Sequence, residues 1–107
     1  MAGIGSSIIA GSVSIVGATT ATIYNVNCAV AGNEYFQILA NGTVRFSVRS
    51  RKNGKLQISF TSGETGINFF TIPAGCVWAE DGLSLTGRTL YFQSNIDNDV
   101  VEILQWT

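Results

Sequence analysis

Val, Ile, Thr, Phe and Tyr recur along this chain in short runs closed by Gly, Asn, Asp or Pro, and on either side of Asn53-Gly54 apolar and polar positions alternate cleanly with a period of two. Residues 34–40, 43–51, 55–61, 67–72, 76–79, 83–85, 89–94 and 100–106 each read as a strand, because successive side chains on extended backbone point to opposite faces. Between them stand Asn41-Gly42, Lys52-Asn53-Gly54, Pro73-Ala74-Gly75, Glu80-Asp81-Gly82 and similar clusters. These are turn sequences, since Gly and Asn accept positive φ and Pro fixes φ at a bend. No segment has the length and 3.6-residue apolar period of an amphipathic helix. The pattern predicts an all-β, single-domain antiparallel β-sandwich of about eight or nine short strands, with jelly-roll or Greek-key winding.

The first 33 residues carry no Asp, Glu, Lys or Arg. Within them, Ser12-Val13-Ser14-Ile15-Val16 and Thr20-Ala21-Thr22-Ile23-Tyr24-Asn25-Val26 are β-branched and uncharged, and left free they would expose backbone and methyl groups. The expected division is an arm over residues 1–26 and a sandwich domain over 27–107. From about residue 12 the arm is expected to pair with a sheet of its own chain or of a neighbouring subunit. That makes Ile15, Ile23 and Tyr24 candidate interface residues.

Around Asn53-Gly54, Val44, Phe46 and Val48 share one face, and Leu56, Ile58 and Phe60 share another. Placing both sets on the same side predicts a hairpin with Phe46 opposite Phe60 and Val48 opposite Ile58. Lys52-Asn53-Gly54 then forms a three-residue loop with Gly54 in the left-handed region. In this register Arg51 stands directly opposite Lys55, a like-charge pair.

Composition sharpens the reading. Hydrophobic residues make up 46% of the 107 residues but charged ones only 12%, about half of the roughly 25% usual in soluble domains, and the net charge is -1. So neutral a surface favours association, and the chain is expected to be covered by copies of itself or by a partner. Five of the six basic residues, Arg45, Arg49, Arg51, Lys52 and Lys55, fall within one hairpin, while six of the seven acids lie from Glu64 onward. Complementary docking of these two ends between subunits is one reading and a solvated face the other; Arg45, Arg49, Arg51 and Lys55 are the candidate contacts. A nucleic-acid role is disfavoured by the pI of about 5.1 and the lack of aromatics interleaved with the basic residues.

Candidate chemistry is thin. The chain has no His, and Cys28 and Cys76 alone are too few ligands for a zinc site, so they read as reduced thiols or as one disulfide, with no chemistry assigned. Asn95-Ile96-Asp97-Asn98-Asp99 offers oxygens to calcium but equally composes an Asx-rich turn. Glu80-Asp81 lacks the partners of an acid–base pair, and the chain is read as no enzyme. No metal or cofactor is expected. Trp78 and Trp106 sit in apolar runs, where packing is the commoner role than a sugar platform. The start Met1-Ala2-Gly3-Ile4-Gly5 lacks a basic n-region and no apolar stretch is long enough to span a bilayer, so a protein made and used without secretion and without a membrane is expected.

The last third of the chain carries one resemblance. Phe70-Thr71-Ile72-Pro73-Ala74-Gly75 and Thr89-Leu90-Tyr91-Phe92-Gln93-Ser94, the latter leading through an Asn/Asp turn into Val100-Val101-Glu102-Ile103-Leu104-Gln105-Trp106-Thr107, resemble small virion structural proteins of tailed bacteriophages. The resemblance implies a capsid decoration or cement protein: a β-sandwich, often a homotrimer, made in the host cytoplasm and seated on the capsid surface over junctions between major capsid subunits. It brings no catalytic residues. The alternatives are a tail, baseplate or fibre component, or a glycan-binding β-module using Trp78 or Tyr91.

Overall fold

A computed structural model describes residues 20–107. Eight strands follow one another: β1 (Ala21–Cys28), β2 (Tyr35–Ile38), β3 (Arg45–Ser50), β4 (Leu56–Ser59), β5 (Phe70–Ile72), β6 (Val77–Glu80), β7 (Thr89–Ser94) and β8 (Asp99–Trp106). They form two antiparallel four-stranded sheets, ordered β1-β8-β3-β6 and β2-β7-β4-β5. Strand one pairs with eight, two with seven, three with six and four with five, alternating between the sheets. This is one long hairpin folded over itself, the order of a jelly roll. The expected all-β sandwich is therefore what the chain forms.

Alternation drives the layering. Along β8, Asp99, Val101, Ile103 and Gln105 are buried while the residues between them are half-buried, and β7 buries Leu90, Phe92 and Ser94 in the same way. With Phe46, Val48, Leu56, Ile58, Ile72, Leu39 and Cys28 these apolar residues make one core between the sheets. Each fully buried large aliphatic or aromatic side chain contributes about 1.5–3 kcal/mol relative to exposure.

The predicted hairpin does not form. β3 and β4 lie in different sheets, so Phe46 and Val48 face Leu56 and Ile58 across the core rather than along a shared ladder. Phe46 instead pairs with Glu80 and Gln105, and Val48 with Trp78 and Ile103. The apolar faces were legible, but a common face serves two facing sheets as well as two paired strands. The connection is tied down by a residue remote in sequence. Asp99 accepts hydrogen bonds from Ser50 Oγ (2.5 Å), Ser94 Oγ (2.6 Å), the Lys52 N–H (3.1 Å) and the Val100 N–H (2.8 Å). Asn53, not Gly54, takes the left-handed conformation, with φ 57°. Arg51 does not oppose Lys55, whose N–H donates instead to Asn95 Oδ1.

Three further differences bear on the surface. β1 crosses the expected boundary after residue 26 and pairs along its whole length with β8 of the same chain; residues 12–16, Ile15 among them, lie outside the described residues. Residues 83–85 form no strand but run as a connection held to the two residues just before β3, with the Leu83 N–H on the Val44 carbonyl and the Leu85 N–H on that of Thr43. The expected strand over 67–72 shrinks to its last three residues, because the chain before it is a compact loop fastened to Glu34. The Glu34 carboxylate accepts from the Gly63 N–H (2.9 Å), Thr65 Oγ1 (2.8 Å) and the Thr65 N–H (3.4 Å).

Candidate functional site

The basic residues singled out from the sequence do not gather into a free patch. β3 and β8 pair Arg49 with Glu102, and on the outer face of that sheet Arg49 Nε and Arg51 Nε donate to the two oxygens of Glu102 at 2.5 and 2.7 Å. Arg51 also donates to Asn25 Oδ1 (3.2 Å), and Arg45 meets Asp81 at 3.3 Å. The hydrogen bonds from Arg51 and Arg49 hold the Glu102 carboxyl below its usual range. The charges separated along the sequence are thus largely joined within the fold. Such exposed pairs are worth about 0–1 kcal/mol each. Lys55 is exposed and takes no part in these ion pairs. Of the arm candidates, Ile23 points outward and is 68% exposed, while Tyr24 points inward and packs half-buried against the core.

The more informative surface is apolar. Nine large hydrophobic residues among those described are exposed: Ile23, Val30, Phe36, Ile38, Phe60, Ile67, Phe69, Phe70 and Val77. The strand order sorts them into two groups. Ile23, Val30, Phe36 and Ile38 belong to β1, β2 and the connection between them, the strands at one margin of the sandwich. Phe60, Ile67, Phe69, Phe70 and Val77 belong to β5, β6 and the connection entering β5, at the opposite margin. Sequence reading missed most of these, although Tyr35-Phe36-Gln37-Ile38 and Phe69-Phe70 place apolar residues on both phases of the alternation, so one of each set had to face outward.

At the second margin the sheets part to leave a cleft of about 460 Å³, lined by Phe46, Phe60, Trp78, Glu80, Leu83, Leu85 and Arg88. Trp78, on edge strand β6, is its centre. Its ring meets Phe46 edge to face at 5.1 Å, Phe70 at 5.3 Å and Phe60 at 6.1 Å, separations at which aromatic pairs attract. Both charged groups at the cleft already have partners: Glu80 Oε2 accepts from Trp78 Nε1 at 2.7 Å, and the Arg88 guanidinium lies 5.7 Å from the Phe60 ring centre. The cleft therefore offers mainly carbon to an incoming group.

The remaining candidates are occupied with holding the fold. Asp97 Oδ1 accepts the Ala31 N–H, and Asp99 is buried beneath the β3–β4 connection. Among the described residues no group of three or more His, Cys, Asp or Glu is placed to hold a metal ion. Cys28 and Cys76 are both free thiols, one buried and one exposed; burial, with the nearby Asp99 charge, pushes the Cys28 thiol up to about 11. Trp106 lies on the outer face of its sheet between Ala21 and Arg45. No helix among the described residues is long and apolar enough to cross a membrane. Comparison with known proteins finds no matching family model, no matching curated protein and no matching solved structure.

Proposed function

We propose that this chain is a structural component of a phage virion, a decoration or cement protein that self-associates and bridges major capsid subunits. The observation that carries the reading is the placement of its exposed apolar residues at two opposite margins of a rigid sandwich. A module with one ligand needs one such surface, whereas a bridge needs two. Jelly rolls serve in capsids, lectins and other proteins alike, so the winding alone does not choose between roles. The internal pairing of Arg49 and Arg51 with Glu102 also moves the expected contacts away from the basic residues and onto these margins. Modest contacts repeated by symmetry then add up through avidity.

A glycan-binding module would use the same cleft, where Trp78 stands beside Glu80 and Arg88. Sugar recognition needs several polar groups around the ring, and here five of the seven lining residues are apolar or aromatic and Glu80 already accepts from Trp78. The carbon lining suits an apolar side chain of a protein partner better. A cryo-EM map of the particle carrying this protein tests the proposal: density for the sandwich should span two neighbouring capsid subunits. Particles from which the chain is absent would overturn it.

A further inference from the structure

The longest free sheet edge among the described residues belongs to β1, and its hydrogen-bonding phase is fixed. Thr20 and Thr107 exchange both backbone hydrogen bonds, Thr107 N–H to Thr20 at 2.9 Å and Thr20 N–H to Thr107 at 3.4 Å. The β1–β8 register runs unbroken from there through Cys28 opposite Asp99. In an antiparallel ladder such exchanging pairs alternate with pairs that point away, so Thr22, Tyr24, Val26 and Cys28 bond to β8. Ala21, Ile23, Asn25 and Asn27 therefore turn their N–H and C=O groups to the free edge, where no described residue meets them.

Natural edges are blunted by shortness, by Lys or Pro, or by bulges. The edge strands β2, β5 and β6 have four, three and four residues. β1 has eight, Ala-Thr-Ile-Tyr-Asn-Val-Asn-Cys, with no charge, no Pro and no break in register. Ile23 is 68% exposed on its outer face, and the described residues leave Tyr24 and Val26 only partly covered on its inner face.

We infer that β1 is a self-association edge, pairing antiparallel with β1 of a second copy across a two-fold axis to join two sheets into one of eight strands. This rests on the reading of the chain as a self-associating protein and goes beyond it by naming the surface. The second copy is the occupant because β1 complements itself. With the axis at Tyr24, Ala21 meets Asn27 and Ile23 meets Asn25, so every outward residue of one strand opposes an outward residue of the other. No like charges meet, since the strand has none, and Tyr24 packs beside its own mate to cap the core. β2 flanks β1 at this margin, which leaves the cleft margin on the far side free for a different partner.

Light scattering combined with amide exchange on the full chain tests this. The expected result is a dimer at high micromolar concentration, with the amides of Ile23, Asn25 and Asn27 protected only when concentrated and those of Tyr24 and Val26 protected at any dilution. Asn25→Pro removes an N–H that β8 does not use and should leave a folded monomer. Ile23→Lys, which places a charge on the edge without touching the backbone, should weaken the dimer at least tenfold and guards against misfolding of the proline variant. A trimer, a monomer throughout the concentration range, or odd-numbered amides protected in the monomer, as when the chain's own N-terminal residues cover the edge, would each overturn the pairing. A monomer that still binds particles overturns the edge alone, and a dimer found on no particle overturns the virion reading alone.

Discussion

A Cβ added to Gly54 would lie 3.0 Å from Asp99 Oδ2 and 2.9 Å from Ser94 Oγ, so the glycine is held there by lack of space. Its φ is not in the left-handed region, and Asn53 supplies that conformation instead. Gly54→Ala must push apart the cluster of Ser50, Ser94 and Asp99 that carries the chain from one sheet to the other. Destabilisation of about 1–3 kcal/mol is expected from a denaturant midpoint. Asn53→Gly, which keeps the backbone conformation available, should change stability by only about 0.5 kcal/mol.

Asp99 should also set part of the acid limit. Burial pushes its carboxyl upward, but the hydrogen bonds from Ser50, Ser94, Lys52 and Val100 together outweigh it and hold it below the usual range. A carboxyl lowered on folding contributes stability that is fully present above its unfolded value of about 3.9 and is lost as pH falls through the lower folded value. Asp99→Asn should cost about 1–3 kcal/mol at neutral pH and flatten the loss of stability below about pH 4. Urea midpoints compared between pH 7 and pH 2.5 measure both effects; parallel acid limbs would assign the acid loss to Glu34 or Glu102 instead.

How much of this was legible follows from the range of each interaction. Alternation is local, so Thr89 to Ser94 was read to the residue as β7 and the two-layer sandwich emerged from composition and spacing. Partnership is not local. Arg51 meets Glu102 across 51 positions, and Asp99 ties down Ser50 across 49, so neither the dispersal of the basic cluster nor the failure of the Asn53-Gly54 hairpin was visible in either segment alone. The apolar margins were hidden for the same reason. An exposed Phe36 and a buried Phe46 look alike until the strand order places β2 at an edge and β3 inside.

The shared carboxylate makes its own prediction. Replacing Arg49 and Arg51 together by Gln removes both hydrogen bonds that hold the Glu102 carboxyl low, so its titration followed by NMR should move up toward the usual value of about 4.3. Global stability should change by no more than about 1 kcal/mol, because these side chains are half-exposed and screened. Self-association should be indifferent to the substitution. A clear loss of association would return the basic residues to the interface and move the contact from the sheet edge to the outer face.

The cleft margin gives the sharpest test of bridging, because it can be altered without entering the core. Val77 is 57% exposed on the outer face of β6, and Phe60 is 44% exposed at the cleft mouth, where its ring meets Trp78 and Arg88. Val77→Lys and Phe60→Lys each place a charge where a carbon-lined partner surface would have to desolvate it, a cost of several kcal/mol if the contact is dry and little if it is a wet rim. The double variant should keep its thermal stability to within about 2 kcal/mol, since neither residue belongs to the buried cluster of Leu56, Ile58, Phe92 and Ile103. It should also keep its dimer, because β1 and β2 lie at the other margin. Binding to capsids measured by co-sedimentation should fall at least a hundredfold, equivalent to about 2.7 kcal/mol. Binding unchanged in the double variant would mean that the exposed residues of β5 and β6 face solvent in the particle, and the bridge would then have to run through the β1–β2 margin alone.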